Sequence, residues 1–89
     1  MKDKLQKIVE SKLARDILAF FHMNQGSIDT VSGVSAWVHE DKKRTEAVLD
    51  SLVEEGMLEQ NSSGSTKGYC YTRDRKAMET IKKIIENDD

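Results

Sequence analysis

The chain contains no proline and one cysteine, Cys70. A single thiol cannot close an internal disulfide, which excludes a disulfide-stapled secreted scaffold. Five grouped glycines and no proline exclude collagen-like and mucin-like chains. Aromatic residues make up 6% and hydrophobic residues 37%, enough for one small core. The longest apolar run, Ile17–Phe21, is five residues long, far short of the roughly 20 that cross a bilayer, so no membrane role is expected. Neither sign of charge dominates. Fourteen Lys+Arg against 16 Asp+Glu leave −2 at pH 7. Net charge therefore gives no general attraction to nucleic acid, and any such role must come from local patches.

Chemistry-bearing motifs are also missing. There is no phosphate-binding glycine loop, no H-E-x-x-H pair and no nucleophile motif, so no enzyme is expected. Cys70, His22 and His39 have no metal-ligand spacing, and no cofactor or small-molecule ligand is expected. Cys70 reads as a half-buried small hydrophobe, with only Lys67 and Arg73 nearby to lower its pKa. The polar stretch 1–7 has no signal-peptide core, which with the lone thiol points to the cytoplasm. Eighty-nine residues make one domain, 1–89.

What is present is helical periodicity. Leu5, Ile8, Val9, Leu13, Ile17, Phe20 and Phe21 recur at three- and four-residue steps and predict helix over 3–23. Ser11 is a candidate break, so the stretch reads equally as one helix or two. Asn24-Gln25-Gly26 ends it, and Ser27-Ile28 is a candidate short strand. Asp29 or Thr30 caps a helix over 30–39 with Val31, Val34 and Val38 on one face. Gly33 inside that helix suggests that another helix passes close. Asp41 opens a helix over 41–55 that Gly56 ends. Val48, Leu49, Leu52 and Val53 form its core stripe, with Thr45 at the edge. Lys43, Ala47, Asp50 and Glu54 fall on the outward face. Met57–Gln60 and Gly68–Arg73 predict two strands around a polar loop, 61–67, with Tyr69 and Tyr71 on one face. A last helix, 74–87, carries Ala77, Met78, Ile81, Ile84 and Ile85. The fold class is mostly α with a small β-hairpin: helix, short strand, helix, helix, hairpin, helix.

One segment is specific. Leu49-x-x-Leu52-x-x-x-Gly56-Met57-Leu58, preceded by Val34–Val38 and Lys42–Thr45, resembles the end of the third helix in winged-helix regulators of the MarR and ArsR type. Two leucines three apart anchor that helix, the glycine reverses the chain, and the next two apolar residues start the wing. Gly68-Tyr69-Cys70-Tyr71-Thr72 is similar to a second wing strand. The resemblance implies a winged helix-turn-helix over 28–73 and a transcriptional regulator that binds double-stranded DNA. In such domains the third helix enters the major groove by its first turns, and the wing meets the backbone or minor groove. Carried over, the helix contacts are Lys42, Lys43, Arg44, Glu46 and Ala47. The wing contacts are Ser65, Thr66 and Lys67, with Arg73 at the strand base.

This chain departs from the family pattern at Glu46-Ala47, where regulators often carry a polar pair such as Ser-Arg. Ala47 can touch a thymine methyl; Glu46 can accept from cytosine N4 but repels phosphate. Residues 41–56 hold three positive and five negative charges. The alternative reading is a winged-helix protein-interaction module that does not touch nucleic acid. Its supports are the acidic Asp50, Glu54 and Glu55 and the chance that Trp37 is exposed, although cover of Trp37 by the N-terminal helix or the wing is the favoured expectation. The resemblance to MarR-like proteins also implies a homodimer through the two terminal helices; the bland alternative packs those helices together within one chain.

Overall fold

Ser11 divides the N-terminal stretch into two helices. The computed structural model describes residues 3–87. In it α1 spans Asp3–Val9 and α2 spans Lys12–Met23. Ser11 has extended backbone, and its hydroxyl accepts the N–H of Ala14 at 3.4 Å, an N-cap that restarts the helix. The carbonyls left at the end of α1 are taken by Arg15, whose guanidinium donates to the Val9 and Glu10 oxygens at 2.8 and 2.9 Å.

Beyond α2 come β1 (Ile28–Thr30), α3 (Val31–Val38), α4 (Lys42–Glu54), β2 (Leu58–Ser63), β3 (Thr66–Tyr71) and α5 (Arg75–Glu86). Thr30, Asp41 and Asp74 cap α3, α4 and α5. Three residues separate α3 from α4. His39 takes a left-handed conformation (φ 58°), one that histidine visits more readily than most residues, and the buried Ser35 hydroxyl donates to the Glu40 carbonyl. These contacts fix the turn between the two helices.

The sheet order is β1-β3-β2, antiparallel throughout, with Ile28 opposite Cys70 and Leu58 opposite Tyr71. The hairpin is longer than the turn-forming residues suggested. Residues 61–67 are not an open loop: Asn61 to Ser63 and Thr66 to Lys67 pair in register. Only Gly64-Ser65 turns, and Gly64 (φ 61°) supplies the positive dihedral that a two-residue hairpin loop requires at its first position. Backbone pairing needs no apolar side chains, so a polar hairpin tip still forms a ladder.

One core runs through all the helices and the sheet. Phe21, Ile17, Leu18, Val34, Leu49, Leu52, Leu58, Tyr69 and Ile81 are fully buried. Thr45, expected at the stripe's edge, is fully buried too, and its hydroxyl has no hydrogen-bond partner among the described residues. Gly33 does not make room for a helix: a Cβ there would meet the Asp29 carboxylate at 2.1 Å, and that carboxylate accepts the Thr30 N–H at 2.9 Å. The terminal helices turn their apolar stripes inward, burying Leu5, Val9, Ala77, Ile81 and Ile84 within this chain. Among the described residues, the large hydrophobic side chains left exposed are Met23, Ile28 and Trp37. Trp37 is not covered as expected. It is 52% exposed, because Val34 and Ser35 occupy the buried side of α3; its ring leans on Phe20 at 4.8 Å between centroids.

Both tyrosines of the chain are held against ionisation. Burial first, and the Asp50 carboxylate second, push the Tyr69 phenol up to about 12; burial raises Tyr71 as well. A folded pKa above the unfolded value of about 10 gives stability that is complete below pH 10. That stability is lost as pH rises through the folded values. The denaturant midpoint is therefore expected to fall between about pH 10 and 12, and to fall less in Tyr69→Phe. Denaturant melts across this range, with tyrosinate absorbance followed in parallel, check this; a phenol pair half-ionised at pH 10 in the folded protein would refute it.

Candidate nucleic-acid interface

The element equivalent to a reading helix is α4, and its first turn is built to be seen by solvent. Asp41 Oδ1 accepts the Arg44 N–H at 2.9 Å and closes the helix end. Leu49 and Leu52 then hold the far half in the core. Lys42, Lys43 and Arg44 are all exposed. Arg44 reaches Glu40 at 3.4 Å in an exposed pair; Lys42 and Lys43 make no ion pair among the described residues. Three cations crowded onto a helix N-terminus oppose the helix dipole, so they do not serve the helix itself.

The wing is arranged differently from the expectation. Ser65 and Thr66 stand exposed at the tip, and Arg73 is exposed after β3, its backbone N–H donating to Glu59 at 2.7 Å. Lys67 does not stand free on a loop. It sits within β3, and its ammonium lies 3.2 Å from Glu46 Oε2 and 3.2 Å from Asp50 Oδ2. Tyr69, two residues further along the same face of β3, donates its hydroxyl to Asp50 Oδ1. The Asp50 and Glu46 carboxylates push the Lys67 pKa above its ordinary value and hold its ammonium against α4.

Further along α4, Glu54 and Glu55 share a lysine. Lys4 of α1 binds Glu54 and lies 3.9 Å from Glu55. Ala47, between the cationic turn and this acidic half, is exposed. The outward face of α4 thus runs from three exposed cations at its start, of which only Arg44 is paired among the described residues, to four carboxylates that share two lysines at its end. Sequence reasoning missed the Lys67–Glu46–Asp50–Tyr69 cluster and the Lys4 pairing with Glu54 and Glu55.

Among the described residues no three His, Cys, Asp or Glu side chains are placed to hold a metal ion. Cys70 is half-buried, and burial with the nearby Glu59 pushes its thiol up, against the thiolate that Lys67 and Arg73 had suggested. No described helix is long and apolar enough to cross a membrane.

No protein-family model matches the sequence, and no curated protein matches it. Solved structures do. The chain is similar to a possible transcriptional regulator from Methanosarcina mazei (TM-score 0.74, 13% identity, covering 94% of this chain and 75% of that one). It is similar to the homodimeric winged helix-turn-helix DNA-binding domain of a possible ArsR-family transcriptional regulator from Mycobacterium bovis (TM-score 0.73, 14% identity, 91% and 71%). It is also similar to part of human N-acetylserotonin methyltransferase (TM-score 0.65, 19% identity), spanning 78% of this chain and 20% of the enzyme. These similarities establish the fold, a winged helix-turn-helix. The same fold serves regulators and one piece of an enzyme, so function must be argued from the surface.

Proposed function

We propose that this winged helix-turn-helix chain is a DNA-binding transcriptional regulator of the cytoplasm that places the first turns of α4 in the major groove. The observation that carries this is the exposed Lys42, Lys43 and Arg44 at the end of α4 that is free of the core. Their charge suits phosphates flanking the groove, and Ala47, one turn on, is small enough to approach a base edge. Ser65, Thr66 and Arg73 are the wing's contacts with the backbone. Two copies related by a two-fold axis would present two such helices to a palindromic site. The apolar faces of α1 and α5 are occupied within the chain, so such a pairing would use what remains of them, including Ile8, Met78 and Ile85.

The runner-up is a protein-interaction module, and Trp37 is the observation that favours it. The acidic surface that first suggested it is partly offset, its carboxylates sharing Lys4 and Lys67 and Asp50 also accepting from Tyr69. Binding to random duplex DNA under a salt titration separates the two. A reader of phosphates binds in low salt and loses affinity steeply as salt rises; an interaction module shows no binding even in low salt.

A further inference from the structure

Glu46 and Asp50 lie one turn apart on α4, and Lys67 lies between their carboxylates, yet the two acids are not equivalent. Both oxygens of Asp50 are engaged: Oδ1 by the Tyr69 hydroxyl and Lys67, Oδ2 by Lys67. Glu46 gives Lys67 only Oε2. Its Oε1 accepts no hydrogen bond among the described residues, and its side chain is 44% exposed. Asp50 is therefore the anchor of the cluster, tied to the wall of the core through Tyr69, and Glu46 is its outer end.

This arrangement reduces the repulsion between an acid on a reading helix and DNA, although one lysine shared by two carboxylates leaves the cluster at −1. A free glutamate would meet the phosphates with a full charge and would have to be frozen out of several rotamers before it could recognise anything. Here the wing supplies a compensating cation 3.2 Å away and holds the carboxylate before DNA arrives. An oriented carboxylate oxygen with spare lone pairs matches an exocyclic amino group in the major groove, and cytosine N4 suits it better than adenine N6, whose neighbouring N7 is an acceptor that an all-acceptor carboxylate cannot satisfy.

Resting on the DNA-binding reading above, we propose that Glu46 is a specificity-determining residue that accepts from cytosine N4 in the major groove, with Lys67 as the positioning residue that orients it. Lys67 then acts through Glu46 and not on phosphate. The consequence is a split between preference and affinity: disturbing either residue alters which base is chosen more than how tightly random DNA is held.

The experiment is selection of bound duplexes from a random-sequence pool by the full chain, with Tm measured for each variant. Wild type is expected to enrich cytosine at one fixed position per half-site by about tenfold or more. Glu46→Gln, an isosteric change on an exposed face, is expected to lose that enrichment or move it to adenine, which pairs with an amide. Lys67→Met is expected to shrink the cytosine enrichment several-fold while affinity for the unselected pool changes less. Wild type that binds DNA without a cytosine preference, or a Glu46→Gln variant that keeps it, overturns the proposal and leaves the DNA-binding reading standing. A wild type that retains no duplex in low salt overturns both.

Discussion

Reversing the charge of Lys43 and Arg44 together, as Lys43→Glu plus Arg44→Glu, abolishes retention of duplex DNA and leaves the fold intact. The change swings the exposed end of α4 from three cations to one cation and two anions. Phosphate contacts made there are replaced by repulsion, and the expected loss in affinity at low salt is about a hundredfold or more. Unfolding is not a competing explanation. Carboxylates in a first helical turn are favoured by the helix dipole, and the one pair broken, Arg44–Glu40, is exposed and of little worth. Fluorescence anisotropy with labelled duplex reads the first half of the prediction, and a circular dichroism melt reads the second. A double variant that binds as wild type does would show that α4 does not dock by this end.

The second large effect is on stability. Leu49→Ala removes a fully buried side chain from the stripe that seats α4 in the core. The loss combines lost burial with an unfilled cavity and costs about 3–5 kcal/mol. Against a typical total of roughly 5–15 kcal/mol, this removes a large share of the stability. In a domain of this size each kcal/mol is worth about 4–8 °C, so Tm falls by at least about 12 °C. Urea melts check it: the midpoint drops while the slope is kept. A cost under about 1 kcal/mol would mean that Leu49 is not in the core.

Much of this fold is legible in the residue order because local and global signals agree. Ser11, Thr30, Asp41 and Asp74 each sit where a helix starts and each side chain accepts a backbone N–H three residues on. Leu49, Leu52 and Gly56 mark where α4 enters the core and where the chain reverses, Gly56 with φ 77°. The apolar stripes of the terminal helices were equally plain; whether a second copy or the same chain covers them is a tertiary matter that periodicity does not address. Trp37 illustrates the same limit, since its cover depends on how α3 crosses α2.

The site was legible at its cationic start and illegible at its centre. Lys42, Lys43 and Arg44 follow a capping aspartate, and helix geometry alone exposes them. Lys67 was misplaced because Asn61–Lys67 is composed of turn formers, which made a strand look like a loop. Once β3 begins at Thr66, the two-residue period of a strand puts Lys67 on the face of Tyr69, aimed at α4. Its pairing with Glu46 and Asp50 then follows from the four-residue spacing of those acids on one helix face. The signal was present, but it depended on where the hairpin ends, the feature that side-chain pattern controls least.

The central claim is that the free end of α4 neutralises DNA phosphate, and salt-dependent affinity for random duplex DNA measures that directly. With Lys42, Lys43, Arg44 and Arg73 as the contacts of one protomer, the slope of log K against log salt is expected to be about −3 to −4. A slope near zero, or no binding at the lowest salt, would contradict it and turn attention to Trp37 as the working surface.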